Sequence, residues 1–305
     1  MNVSAANSSC APCVGDNLNS PFTITIICSL MITGLVANIL LLVAHHKDPL
    51  NCFHNASTYF LHNIAINDCL FIVLALVMVV LAVKTHGPLF FKSKFLPFLK
   101  FFVQFCSSFL GMALSSLAIE RFISVAYPLF HHVVVTKDKI QLWVGVLWTA
   151  PFVFIGIDQA VSSACRDFEF LGEVVLLSVF LTACLVFYIA SFVSIKQQQK
   201  RFKDTRMADL DRRSLDVKLQ NERRFLATIS IASVLPFVMF TPCFAFMLPD
   251  VNLEERTSGD LYRTLEVTFS FLFLGHSLLN PFLYLWRLPK YRKTFRRLYC
   301  GLCKA

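Results

Sequence analysis

Charged side chains are scarce in this chain, and their scarcity excludes an ordinary soluble protein. Only 15% of the 305 residues are charged and 56% are apolar, whereas a typical soluble domain is roughly one quarter charged. Outer-membrane barrels consist of segments of about ten residues with alternating polarity, and the sequence has no such alternation. The composition therefore predicts an all-α membrane protein.

Seven apolar runs are long enough to cross a hydrocarbon core of ~30 Å, which takes about 20 helical residues. No internal repeat, Gly/Ser linker or low-complexity tract separates these runs. We therefore expect one seven-transmembrane helix bundle over residues 22–287, with a tail over residues 1–21 before it and a short segment over residues 288–305 after it. The predicted spans are residues 22–46, 57–83, 95–119, 140–162, 171–195, 225–248 and 261–286.

The final segment has no long apolar run, but it places apolar residues three and four positions apart between basic residues. This spacing predicts a short amphipathic helix on the membrane surface. Its apolar residues are Leu288, Tyr291, Phe295 and Leu298. Cys300 and Cys303 follow this helix, where S-palmitoylation and an unmodified thiol are both open interpretations.

Lysine and arginine are unevenly distributed, with the largest groups between Lys196 and Arg224 and after Trp286. Because short loops rich in these residues stay cytoplasmic, we expect the N-terminus outside. The net charge of +9 then belongs to a cytoplasmic face in contact with anionic lipids. Nucleic acid is not an expected partner, because no segment is large enough to form a basic soluble domain. The group before Arg224 has helical character and should extend the fifth and sixth helices.

The N-terminal tail lacks a basic stretch followed by an apolar core, so it does not read as a cleaved signal peptide. It carries glycosylation sequons at Asn2 and Asn7, which could be used only outside the cytosol. Cys10, Cys13 and Cys165 fall on the same predicted side. Two of these three could form a disulfide, and the sequence leaves the pair open.

A few polar residues interrupt the apolar runs, where a charged side chain costs several kcal/mol unless it is paired. Glu120 and Arg121 stand side by side behind a long apolar run, and Asp68 lies within the second run. Asn38 and Asn280 could donate amide hydrogens across helices to such a carboxylate. An acid-base pair in this setting indicates a function.

These residues belong to five stretches that follow one another along the chain: GLVANILLL, NIAIND, ERFISVAYPL, LWTAP and NPFLY. Together the stretches closely resemble the rhodopsin-like (class A) family of G-protein-coupled receptors, from about Phe22 to Cys303. The resemblance implies a plasma-membrane receptor that passes an extracellular ligand signal to heterotrimeric G proteins by an outward movement of the sixth helix. It implies neither an enzymatic activity nor a cofactor.

The resemblance also implies a role for the acid-base pair. Arg121 would be held at rest by Glu120 and by Glu222, which stands 20 residues before the sixth-helix Pro242. It would be freed for the G protein when the sixth helix moves outward. We call Glu120, Arg121 and Glu222 the arginine latch. The alternative is an arginine that merely extends from a helix end to water.

A second implied switch surrounds Asp68. Pro281 has no backbone N–H to donate, so a bend in the seventh helix should shift easily. This favours a moving switch over a static polar packing cluster. The implied polar-core switch consists of Asn38, Asp68, Asn280, Pro281, Tyr284 and Tyr188. Phe240 and Pro242 are the implied sixth-helix switch, and Pro128 and Leu129 join Arg121 as implied G-protein contacts.

Several positions depart from the family pattern. Leu96 replaces the cysteine that most members bond to the second outer loop, and Phe180 replaces the fifth-helix proline. Both absences are similar to the melanocortin, cannabinoid and lysophospholipid receptors. Phe240 replaces the usual sixth-helix tryptophan. Leu110 replaces the serine that helps to bind sodium, which puts a sodium site at Asp68 in doubt.

The expected ligand pocket lacks two diagnostic charges. Val103 stands where amine receptors have an aspartate, and Leu274 stands where opsins have the retinal-binding lysine. The pocket positions are mostly apolar with a few hydrogen-bonding groups, which suits a small neutral or lipidic ligand. Ordinary bundle core is the alternative interpretation of these residues. They are Val103, Gln104, Ser107, Phe240, Cys243, Phe244, Met247 and Ser270.

Other classes of membrane protein have less support. A transporter or channel would show paired repeats or helices broken at matching places in two halves, and the sequence shows neither. A membrane enzyme would need a cluster such as His-Glu-x-x-His, whereas the histidines here are scattered. A scaffold of receptor fold that does not signal, or binds no ligand, remains the alternative to a working receptor.

Overall fold

The structure is a computed structural model that describes residues 21–51, 53, 55–84, 96–164, 171–204, 209–247 and 275–301. These ranges contain nine helices and no strands. Each of the first five predicted spans begins within three residues of the position at which a helix begins. The helices are α1 (Pro21–Lys47), α2 (Ala56–Lys84), α3 (Leu96–Ala126), α4 (Pro128–Val134), α5 (Lys137–Ala164), α6 (Leu171–Asp204), α7 (Asp209–Met247), α8 (residues 275–287) and α9 (Pro289–Tyr299).

Five helices in the described ranges, α1, α2, α3, α5 and α6, are long and apolar enough to cross a membrane. The predicted sixth and seventh spans correspond to α7 and α8, and α8 is described only from residue 275 onward. As predicted, the polar segment extends two helices, because α6 continues to Asp204 and α7 begins at Asp209.

The third helix, α3, lies at the centre of the bundle and contacts α2, α5, α6 and α7. Of its apolar span, 67% is buried, compared with 22–33% for the other four spans. Leu110, Leu114 and Leu117 are fully enclosed, whereas α5 and α6 expose apolar side chains such as Val153 and Ile189 on their outer faces. This distribution suits a bundle in lipid, which does not drive apolar side chains inward.

Close packing between α3 and α6 depends on Gly111. A Cβ atom at Gly111 would lie 2.6 Å from Cδ2 of Phe180, so the glycine leaves room for that ring. Ser115 Oγ, one turn further along α3, lies 3.3 Å from the backbone oxygen of Phe180. Phe180 is the residue in place of the usual fifth-helix proline, and its ring therefore serves as a packing contact with α3.

The bundle end that contains Arg121, called here the Arg121 end, is closed by two short helices. α4 follows α3 directly, and α9 packs against α1. His45 Nε2 and the Tyr291 hydroxyl share a hydrogen bond of 3.2 Å, and the Tyr299 hydroxyl donates to the Leu40 backbone oxygen at 2.9 Å. Tyr291 is buried while its basic neighbours are exposed, so α9 is amphipathic as predicted.

Candidate functional site

The acid-base pair predicted from the sequence is buried at the Arg121 end of α3. Glu120 is 0% exposed and Arg121 is 5% exposed. Arg121 Nε donates to Glu120 Oε2 at 2.7 Å, and Nη2 donates to Oε1 at 2.6 Å. Such two-point pairing fixes the plane of the guanidinium as well as its position. Glu120 therefore determines where the arginine points.

Two further side chains bond Glu120, and sequence reasoning missed both. Ser57 Oγ, in the first turn of α2, donates to Glu120 Oε2 at 2.5 Å. His131 Nε2, on α4, lies 2.9 Å from Glu120 Oε1. The carboxylate thus joins α2, α3 and α4. The sequence did contain a signal for Ser57. The second helix begins at the membrane depth at which the third helix ends, so a hydroxyl in its first turn lies near Glu120.

From α7, two side chains approach the Arg121 guanidinium. Glu222 Oε2 lies 3.9 Å from Arg121 Nη1, and the Glu222 side chain is 43% exposed. Phe225 places its ring centroid 5.2 Å from Arg121 Cζ, a distance suited to a cation–π contact. The structure therefore brings together all three residues of the arginine latch and adds an aromatic ring that sequence reasoning missed.

A second buried cluster surrounds Asp68, which is 0% exposed. Asn280 Nδ2 donates to Asp68 Oδ2 at 3.0 Å, and Ser277 Oγ donates to Oδ1 at 3.1 Å. His276 Nε2 lies 3.6 Å from the same Oδ1 and shares a hydrogen bond with Ser277. Three side chains of α8 therefore converge on one carboxylate of α2.

Asn38 compensates for the proline of α8. Pro281 has no N–H, so it cannot donate to the backbone oxygen of residue 277, its partner in a regular helix. Asn38 Nδ2 donates to that oxygen at 2.9 Å and to the Gly34 oxygen of its own helix at 3.0 Å. An α1 amide thus supplies the hydrogen bond that the proline removes, as expected in a membrane where every backbone group needs a partner.

The surroundings of Asp68 differ from the sodium site of the family at one position. Leu110, at the position where the family's serine helps to bind sodium, is buried and has no oxygen to offer. Both Asp68 oxygens accept hydrogen bonds from α8. Within the described ranges, no group of three or more His, Cys, Asp or Glu side chains could hold a metal ion. We assign no function to sodium in this protein.

The two tyrosines of the implied switch are both buried. The Tyr188 hydroxyl shares a hydrogen bond of 2.8 Å with Ser233 Oγ and so ties α6 to α7. Tyr284 packs its ring 5.8 Å from that of Tyr291 on α9. Sequence reasoning did not identify Ser233, which carries no signal beyond being a hydroxyl in an apolar helix.

Two of the three implied G-protein contacts, Pro128 and Leu129, are exposed at the Arg121 end, whereas Arg121 itself is buried. Pro128 is exposed and Leu129 is 85% exposed, the highest value among the large apolar residues that the structure describes. Phe130 and Val133 of the same short helix are also exposed. Cys300, one of the two candidate palmitoylation sites, is an exposed free thiol at the end of α9.

Only part of the implied ligand pocket falls within the described side chains. Val103, Gln104 and Ser107 lie on α3 and are partly buried, and Ser107 Oγ donates to the backbone oxygen of Val103 at 2.9 Å. The remaining predicted sites lie outside the described side chains or residues. They are Phe240, Pro242, Cys243, Phe244, Met247, Ser270, Asn2, Asn7 and Cys303.

Comparison with known proteins decides the family. The family model for the seven-transmembrane receptors of the rhodopsin family matches residues 37–284. The chain belongs to this family. The receptor is 24% identical to melanocortin receptor 3 of Homo sapiens over 283 residues, which cover 90% of the chain and 84% of that relative. It is 23% identical to growth hormone secretagogue receptor type 1 of Homo sapiens over 300 residues, covering 88% and 78%.

Membership confirms the predicted fold class and the receptor assignment. The protein is a multi-pass membrane receptor with a seven-helix bundle, it belongs to a family that signals through G proteins, and it is not an enzyme. The two human relatives have nearly equal identities, so the similarity to melanocortin receptors that was expected from Leu96 and Phe180 does not place this receptor in one branch.

Proposed function

We propose that this protein is a plasma-membrane receptor with its N-terminus outside, and that an extracellular ligand moves the Arg121 end of α7 outward to free Arg121 for a heterotrimeric G protein. The observation that carries this proposal is the set of contacts around Arg121. The arginine is buried, bonded within α3 by Glu120, and contacted from α7 by Glu222 and Phe225. A residue held in this way is poised to be released by one helix.

The proposed movement breaks three polar or cation–π contacts of the described α7 side chains. It separates Glu222 and Phe225 from Arg121, and it separates Ser233 from Tyr188. An exposed ion pair, a cation–π contact and a neutral hydrogen bond together contribute about 1 to 4 kcal/mol. Coupling free energies between a ligand site and a distant site are about 1 to 3 kcal/mol. The coupling free energy of a ligand is therefore similar in size to the loss of these three contacts.

The Asp68 cluster is the proposed link between the ligand and the Arg121 end. Its carboxylate bonds Asn280 and Ser277 of α8, while Asn38 bonds the backbone oxygen beside Pro281. A helix whose backbone is already interrupted bends at lower cost than a regular one. A change in these bonds would shift α8 and, with it, Tyr284 at the Arg121 end.

The finer assignments are part of the same proposal. We take residues 22–287 as the receptor domain, with a glycosylated tail at residues 1–21 and a palmitoylated final segment at residues 288–305. The exposed basic face of α9 suits anionic lipids. The mostly apolar pocket positions suit a small neutral or lipidic ligand, and the two human relatives are named for melanocortin and for growth hormone secretagogues.

Nucleotide exchange on purified G proteins tests this function. In lipid nanodiscs, the receptor should accelerate exchange by at least one G-protein class above the receptor-free rate, alone or with a member of a ligand library. Arg121→Ala should return exchange to the receptor-free rate at equal receptor amounts. Lys139→Ala, which removes an exposed cation from the start of α5, is the matched control and should retain exchange.

Two outcomes would contradict the proposal. Full exchange by Arg121→Ala would show that the arginine is not the coupling residue. Exchange that never exceeds the receptor-free rate, with any G protein and any ligand, would favour a scaffold that does not signal.

A further inference from the structure

Arg121 has two kinds of contact, and only one kind reports on the position of α7. Glu120 belongs to α3 itself, so its two hydrogen bonds to Arg121 survive a movement of α7. From α7, Glu222 Oε2 lies 3.9 Å from Arg121 Nη1, and the Phe225 ring centroid lies 5.2 Å from Arg121 Cζ. Among the described side chains of α7, these two make the contacts with the arginine that a movement of α7 can break.

The two α7 contacts differ in their exposure to water. At 3.9 Å the Glu222 contact is longer than a hydrogen bond, and its side chain is 43% exposed, so water and salt weaken it. Phe225 is partly buried and packs against the main core of the bundle. Its ring meets the guanidinium of Arg121, a residue that is 5% exposed, and a cation–π contact strengthens as water is excluded.

We propose that Phe225 positions Arg121 in the resting receptor and is the main contact through which α7 holds it. Phe225 follows Glu222 by three residues and so lies on the same helix face, one turn nearer the bundle core. The inference rests on the proposed movement of α7 and changes which α7 residue sets the resting activity. Glu222 then adds a weaker, water-exposed attraction to the same guanidinium.

Fluorination of the ring separates this role from ordinary packing. Successive fluorine atoms on phenylalanine weaken the negative face of the ring while its apolar shape changes little. With mono-, di- and trifluorophenylalanine at position 225, exchange without ligand should rise stepwise. We expect a final increase of about 2- to 10-fold, which corresponds to about 0.4 to 1.4 kcal/mol at RT of about 0.59 kcal/mol.

The chain offers a matched control for this series. Phe192 of α6 is also partly buried and packs against the same core. The same fluorinated residues at position 192 should leave exchange at the unmodified level, because the Phe192 ring has no cation–π contact among the described residues. If nucleotide exchange rises equally with each added fluorine atom at positions 192 and 225, the proposal is overturned, because a change in core packing would then explain both series.

A distance measurement without any G protein separates this inference from the proposed function. Spin labels attached through unnatural residues at His46 of α1 and Gln220 of α7, both exposed, report the opening of the Arg121 end. Fluorination at position 225 should increase the population of long distances. Phe225→Leu, which loses the ring, should do the same, whereas Phe225→Tyr should keep the resting distances.

The combined results distinguish the two claims. In one outcome, fluorination at position 225 changes neither nucleotide exchange nor the distance while Arg121→Ala still abolishes nucleotide exchange. This result would overturn the role of Phe225 and leave the proposed function intact. A distance that responds to fluorination in a receptor that never drives exchange would support Phe225 and contradict the proposed function.

Discussion

Removal of the Glu222 carboxylate should raise signalling without ligand, because Glu222 contacts Arg121 only while α7 lies against α3. Glu222→Ala deletes an interaction that belongs to the resting state and leaves the bonds between Arg121 and Glu120 in place. A ligand or a substitution shifts an equilibrium only by its difference in free energy between the two states. The substitution therefore favours the active state.

The size of this effect follows from the distance between the two charges and from the exposure of Glu222 to water. Glu222 Oε2 lies 3.9 Å from Arg121 Nη1, and at that separation two unit charges in bulk water attract by about 1 kcal/mol. Because the Glu222 side chain is 43% exposed, side-chain entropy and salt reduce the value to about 0.2 to 1 kcal/mol. The active fraction should then rise about 1.4- to 5-fold while the active state is a minor species.

The assay is exchange without ligand, divided by the number of receptors at the cell surface. Asp138→Ala, which removes an exposed acid at the start of α5, is the matched control and should leave the rate unchanged. The rise should vanish when Glu222→Ala is combined with Arg121→Ala. If Glu222→Ala instead silences exchange at normal surface expression, Glu222 supports the active state and the arginine latch must be abandoned.

Three further predictions concern the bundle interior. Asp68→Asn keeps the shape of the side chain but removes its charge, so the receptor should reach the cell surface and drive nucleotide exchange at an altered rate. An unaltered rate of nucleotide exchange would show that Asp68 is only a packing residue. Gly111→Ala should lower the free energy of unfolding by about 1 to 3 kcal/mol, because its Cβ would lie 2.6 Å from the Phe180 ring. In a Phe180→Ala background the same substitution should leave the free energy of unfolding unchanged. Tyr291→Phe removes a hydrogen bond to His45 and should destabilise α9 by about 0.5 to 1.5 kcal/mol. Backbone hydrogen exchange of α9 measures this, and an unchanged hydrogen-exchange rate would contradict it.

The helices and the acid-base pair were predictable because they depend on local sequence. An apolar run of about 20 residues predicts a membrane helix regardless of its neighbours. The spacing of Leu288, Tyr291, Phe295 and Leu298 predicts one apolar face on any helix, and the structure buries Tyr291 of α9 and Leu288 just before it. Glu120 and Arg121 are adjacent in sequence, so their pairing needed no knowledge of the bundle.

Contacts between helices were harder to predict, because they depend on how each helix is rotated. Ser57 and Glu120 are 63 positions apart, and only the packing of α2 against α3 brings them to 2.5 Å. His131 reaches Glu120 only because α4 folds back beneath α3. Nothing in the composition of α4 distinguishes His131 from the adjacent His132, which is exposed.

Aromatic residues raise the same difficulty in a chain with 32 phenylalanines. Phe180 was visible as a departure from the family pattern, but its fit against Gly111 required the distance between α3 and α6. Phe225 was visible only as the start of an apolar run, because a ring three residues after an acid has no special meaning until an arginine lies over it.

The distance between α1 and α7 during coupling tests the central claim most directly. With labels at His46 and Gln220, addition of a nucleotide-free G protein that supports exchange should lengthen the distance in the unmodified receptor. In Arg121→Ala, which lacks the arginine that the G protein would bind, addition of the same G protein should cause no further change in the distance. A distance that stays at its resting value while the unmodified receptor drives full exchange would contradict the outward movement of α7 and the release of Arg121 that depends on it.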